Sequence, residues 1–119
     1  MHTTARHLLT SGELDHIKNS AALDAWTISE RLNTDRAEVL LDNIDDLNAC
    51  ADLARWAMAG ATGSLSDHGL HRLRDIRDSD REYLEQLVAD PGSHSEDIEF
   101  NRDLVASMDR AISIVEATR

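Results

Sequence analysis

The chain has 119 residues, with 12 Lys or Arg against 23 Asp or Glu, a formal net charge of −11. That length corresponds to one domain, able to bury roughly two-thirds of its unfolded surface. The acid excess argues against a protein held by charge on nucleic acid or on an anionic membrane, and a hydrophobic content of 41 % excludes a disordered acidic tail.

Breakers are scarce: Pro91 is the one proline, and there are five glycines. Aromatic residues are few, so the core must come from Leu, Ile, Val and Ala, a palette that suits helix-on-helix packing more than sheet. Cys50 stands alone, so an intramolecular disulfide is excluded. No apolar run approaches the ~20 residues of a membrane span. The first residues, with Arg6 and only Leu8 and Leu9 as strong apolar side chains, contain no signal-peptide core. A reducing, cytoplasmic setting is the expectation.

In chain order, Thr10-Ser11-Gly12 closes an opening segment, and Ser11 or Gly12 precedes a short helix through Glu13, Leu14 and Ile17. Asn19-Ser20 reads as a break or a new N-cap. The next helix carries Ala21, Ala25, Ile28 and Leu32 on one face and ends at Asn33-Thr34-Asp35. Asp35 followed by Glu38 has the look of a capping box. It opens a helix over about residues 36–59, on the order of 36 Å long at 1.5 Å per residue. There Leu40, Ile44, Leu47, Ala51, Ala54 and Met58 recur at alternating spacings of four and three, a heptad-like seam suited to a bundle. Gly60 and Gly63 stop it.

Ser66 or Asp67 caps the following helix, which runs to Ala89 with Leu70, Leu73, Ile76, Leu84, Leu87 and Val88 as its apolar face. Asp90-Pro91-Gly92 is a turn. Ser93 with Glu96 forms a capping box by pattern, with Ser95 as a competing cap. The last helix carries Ile98, Val105, Met108, Ile112 and Val115, flanked by Leu104 and Ala111. No stretch alternates with period two. The expected fold is all-α: an antiparallel bundle of four main helices plus a short N-terminal helix, a single helical domain over 1–119.

The acids of the 36–59 helix fall on one side. At 100° per residue Asp35, Glu38, Asp42, Asp45 and Asp46 lie opposite the Leu40/Ile44/Leu47 seam. Like charges three and four apart repel by a few tenths of a kcal/mol per pair, and no basic residue between Arg36 and Arg55 relieves them. This is either a plain solvated face with arginines from a neighbouring helix, or a docking face for a basic partner. Ala49, Leu53 and Trp56 continue the same side. A second helical layer buries them, or they form an apolar patch beside the acids with Trp56 as interface anchor. Trp26 and Leu23 sit off the Ile28/Leu32 face, and the two tryptophans are placed to pack together.

Chemistry-bearing patterns are sparse. Glu13-x-x-His16 is half of a carboxylate-bridged di-iron signature, with no second Glu-x-x-His to complete it. His68-x-x-His71, near Asp67 and Asp75, offers two metal ligands and lacks a third. Cys50 lies in an Ala-rich stretch, where cysteine behaves as a small hydrophobe. Asp80 falls between Ile76, Leu84 and Leu87 on an apolar face. It is paired with Arg77 or Arg81, or a helix break at Asp78–Asp80 relieves it (Ser79 with Glu82 as cap), or it is a functional acid. The run His71–Asp78 mixes signs and reads as a salt-bridge-laced face, with Arg72, Arg74 and Arg77 also available to a second copy in a homodimer.

Residues 27–39 resemble a helix-turn-helix in outline, with Ile28, Leu32 and Val39 at apolar positions. Asn33 replaces the turn glycine, and Glu38, Asp42, Asp45 and Asp46 would repel phosphates. In size, acidity and helix content the chain resembles small phage-encoded inhibitors, including anti-CRISPR and DNA-mimic proteins, a likeness of class rather than of residues. The leading expectation is a non-enzymatic inhibitor or adaptor without cofactor or metal. It docks Glu38, Asp42, Asp45, Asp46, Asp52 and Trp56 on the basic surface of a protein partner, one that handles nucleic acid in the sharpest form of the idea. The alternatives are a small metal protein or enzyme using His16, His68 and His71 with nearby acids, or a homodimer burying the Trp56 side.

Overall fold

The computed structural model describes residues 9–31 and 37–118 and, within these, every side chain except those of residues 31 and 37–40. Four helices and no strand occur among the described residues: α1 (Ser11–Arg31), α2 (Ala37–Met58), α3 (Asp67–Ala89) and α4 (Ser95–Ala117). None is long and apolar enough to cross a membrane.

Side-chain caps open α1 and α3. Thr10 and Glu13 form a reciprocal box: the Thr10 N–H donates to Glu13 Oε1 at 2.7 Å, and the Glu13 N–H donates to Thr10 Oγ1 at 3.2 Å. The cap is therefore Thr10 rather than Ser11 or Gly12. From there α1 runs without interruption through Asn19-Ser20, and the expected break does not occur. Ile17 and Ala21, on either side of it, are both buried on one stripe, and packing of that stripe outweighs the weak helix preference of Asn and Ser. No separate short helix precedes α1 among the described residues. The Asn33-Thr34-Asp35 terminus, the Asp35 cap and the turn of the helix-turn-helix outline lie outside them.

Helix α2 ends in a Schellman turn. The Ala61 N–H donates to the Trp56 carbonyl and the Gly60 N–H to the Ala57 carbonyl, both at 3.0 Å. Gly60 takes φ 80°, and Ala61 follows at φ 61° with its methyl buried. Ser66 caps α3, its hydroxyl accepting from the Gly69 N–H at 3.0 Å. Helix α4 departs from the Ser93/Glu96 and Ser95 readings: its cap residue is His94, which makes no side-chain capping bond.

Helix α1 packs chiefly on α2, α3 chiefly on α4, and the α2–α3 contact joins the two pairs, with lighter contact between α1 and α3. The result is a slab of 46 × 45 × 19 Å, barely two helix diameters thick. The core gathers Ile17 and Ala21 of α1, Leu53, Trp56 and Ala57 of α2, Leu70, Leu73 and Ile76 of α3, and Met108, Ala111, Ile112 and Val115 of α4. Leu9 and the α2–α3 connection, through Ala61 and Leu65, complete it.

The seam expected to bury α2 is not its core face. Met58 is 71 % exposed, Ile44 is exposed, and Leu47, Ala51 and Ala54 are only half-buried. The buried stripe is Ala49, Cys50, Leu53, Trp56 and Ala57. Helix α2 lies against two neighbours, α1 and α3, so the stripe facing both is buried rather than the one with the most regular spacing. The side chain of Leu40 is not described. On α3 and α4 the expected faces hold near the core and fade outward: Leu84, Leu87 and Ile98 are half-buried and Val88 is exposed.

Candidate docking face and the ionic lattice beside it

Asp42, Asp45 and Asp46 project from the first half of α2 and are all exposed. None has an ion pair or hydrogen-bond partner among the described residues. They precede Ala49, Leu53 and Trp56 on the same side of the helix, so one face is acidic and wet over 42–46 and buried over 49–56. Glu38 sits on the same helix, its side chain undescribed.

Two residues expected on that docking face are taken up by the fold itself. Trp56 is 4 % exposed and packs in the core, so the exposure that an interface anchor requires is absent. Its Nε1–H is buried without an acceptor among the described residues, a situation that typically costs about 1–3 kcal/mol. The exposed tryptophan is Trp26, at 62 %, which rules out the pairing of the two rings. Its own chain already covers Trp56, so the indole adds no surface to a homodimer seam. Asp52, half-buried, is taken up by the α2–α3 connection: its Oδ2 accepts from the Ser66 N–H at 3.1 Å and from the Ser66 hydroxyl. A Cβ on Gly69 would lie 3.0 Å from the same oxygen and 2.6 Å from Leu65 Cδ1. Only glycine lets α3 start this close to Asp52 and Leu65.

Helix α3 shows the opposite electrostatics. Arg72 donates to Asp24 of α1 at 2.9 Å and lies 3.5 Å from Asp75. Arg74 reaches Glu116 of α4 at 2.6 Å. Arg77 holds Asp78 at 2.7 Å and Asp109 of α4 at 2.8 Å, with Arg81 3.6 Å from Asp109. The mixed-sign run 71–78 is thus laced to both neighbours, and Arg72, Arg74 and Arg77 are engaged within their own chain. Burial pulls the Arg72 guanidinium down, but the hydrogen bond it donates to Asp24, together with the charges of Asp24 and Asp75, leaves it above its ordinary value. Hydrogen bonds to Asp109 and Asp78 raise Arg77. Beneath this lattice burial pushes the Cys50 thiol up, against the pull of Arg72. Cys50 is fully buried, a small hydrophobe in practice.

Asp80 has a partner that neither sequence reading supplied. Helix α3 is continuous through Asp78–Asp80, and neither Arg77 nor Arg81 pairs with Asp80. Its Oδ2 lies 2.9 Å from Nε2 of His16 on α1, with Asp80 18 % and His16 28 % exposed. The sequence marked both ends, an acid on an apolar face and a histidine after Glu13, but spacing within a helix says nothing about which residue comes from another helix. Glu13 itself caps α1 and receives Arg110 at 2.8 Å. His68 is exposed, and His71 lies 3.7 Å from Asp75. Among the described residues no three His, Cys, Asp or Glu side chains are grouped to hold a metal ion.

No protein-family model, no curated protein and no solved structure matches the chain.

Proposed function

We propose that the protein is a non-enzymatic binding protein that sets the first half of α2 against a basic surface of a protein partner. Where that surface is a nucleic-acid channel, occupancy blocks it, in the manner of the small phage-encoded inhibitors that the chain resembles in class. One observation supports the reading: Asp42, Asp45 and Asp46 are exposed and unmatched among the described residues, whereas the arginines of α3 are already spent on Asp24, Asp78, Asp109 and Glu116. Exposed acids of one sign favour approach to a positive surface and give little to the fold.

The test is capture of a partner from host lysate at low and high salt, followed by binding of the identified partner to two variants of equal charge change. Asp42→Lys/Asp45→Lys/Asp46→Lys is expected to abolish binding. Glu82→Lys/Glu85→Lys/Glu99→Lys, which reverses exposed acids on α3 and α4, is expected to retain it. Wild-type binding should weaken steeply as salt shortens the screening length. Unchanged binding by the α2 variant overturns the proposal.

A further inference from the structure

A cleft of about 680 Å³ opens where the first turns of α1 meet the second half of α3 and the first half of α4. Its size falls within the roughly 300–1,000 Å³ typical of small-molecule sites. Three helix faces converge on it at helical spacing. Helix α1 supplies Glu13 and His16, α3 supplies Asp80 and Tyr83, and α4 supplies Phe100, Asp103 and Leu104.

The chemistry of the lining is one-sided. Glu13, Asp80 and Asp103 are carboxylates, and among the described residues no Lys or Arg lines the cleft. Arg110 matches Glu13, and His16 occupies one oxygen of Asp80. The other oxygen of Asp80 and the whole carboxylate of Asp103 have no donor among the described residues. The cleft therefore stays negative even with His16 protonated. The start of α1, which would favour an anion, is already capped by the Thr10–Glu13 box. Beside the acids stand two large rings open to solvent, Phe100 at 66 % and Tyr83 at 52 % exposed. Aromatic faces next to carboxylates attract a cation attached to an apolar body, through the ring quadrupole and through direct charge.

We propose that this cleft binds an organic cation, a protonated amine on an aromatic or aliphatic stem, with Asp80 and Asp103 facing the charge and Phe100 and Tyr83 covering the stem. The site shares no residue with the acidic face of α2, so the two proposals stand or fall separately.

The experiment is a titration of ¹⁵N-labelled full-length protein with phenethylammonium, and with phenethyl alcohol and 3-phenylpropionate as its neutral and anionic counterparts. Saturable shifts at the amides of His16, Tyr83, Phe100 and Asp103 are expected from the cation alone. Phe100→Ala and Asp103→Asn replace exposed side chains, and circular dichroism checks that the helices persist. Each is expected to weaken binding about fivefold or more, and Asp42→Lys/Asp45→Lys/Asp46→Lys is expected to bind as the wild type does. Nα-acetyl-lysinamide, offered alongside, separates a free amine from the lysine of a partner protein; a preference for either leaves the cation site standing and names its source. Equal response to the alcohol, shifts spread along Asp42–Asp46 instead of the cleft, or unchanged affinity in both cleft variants overturns the inference.

Discussion

Helices α2 and α3 are both rich in acids, and they handle them in opposite ways. On α3 the acids alternate with arginines, and each of Arg72, Arg74 and Arg77 finds a carboxylate on α1 or α4. On the first half of α2, Asp42, Asp45 and Asp46 follow one another without a base, and none is matched among the described residues. The difference shows that neutralisation here is written locally. A helix carrying both signs ties itself to its neighbours, and a helix carrying one sign is left open. Charge on α3 ties helices to one another; the three aspartates of α2 make no such tie among the described residues.

The contrast can be broken or sharpened by substitution. The largest effect belongs to the shared foundation. Leu53→Ala, deleting a fully buried side chain of α2, is expected to cost about 2–5 kcal/mol in urea unfolding, which shows that α2 is held by its buried half. Arg72→Met keeps the stem and removes the charge from the half-buried inner member of the lattice. It is expected to cost about 2 kcal/mol; a neutral result would mean that the lattice contributes nothing and that the two helices do not differ.

The Cys50 thiol gives a pH test of the same region. Its folded-state pKa is raised by burial, so the native protein holds the proton more tightly than the unfolded chain. Stability is full below the ordinary thiol range and falls as pH rises through it, by up to about 1.4 kcal/mol per pH unit. Cys50→Ala is expected to remove that slope from urea midpoints measured across the alkaline range. The smallest effect lies on the acidic face. Asp42→Asn/Asp45→Asn/Asp46→Asn is expected to leave stability unchanged or raise it by a few tenths of a kcal/mol, on the order of 1 °C in melting temperature. A clear loss would show that those carboxylates serve the fold.

Much of the fold was legible because helix stops are chemically explicit. Gly60 and the Asp90-Pro91-Gly92 turn sit where the pattern places them, the latter with the Gly92 N–H donating to Asp90 Oδ1 at 2.9 Å. The burial of Ala49, Leu53 and Trp56 was also readable as one of two outcomes. The α2 seam was misread because period alone does not say how many neighbours a helix has. The Asn19-Ser20 break was misread because two weak helix formers were weighed without the Ile17/Ala21 stripe beneath them. The Thr10-x-x-Glu13 box was present in the sequence and overlooked in favour of the adjacent serine and glycine. As for the candidate sites, the exposed acids of α2 were visible as a one-sign run. The His16–Asp80 contact and the cleft around it were not, because they join residues 64 apart.

A body only 19 Å through has consequences for how it comes apart. Beyond the central cluster, residues 26–30 of α1 and 41–46 of α2 are largely wet, as are the last turns of α3 and the first of α4. Backbone amides in those peripheral turns lack a covering layer, so they exchange with deuterium through small openings that leave the middle intact, while amides around Leu53, Leu73 and Met108 exchange only when the whole chain lets go.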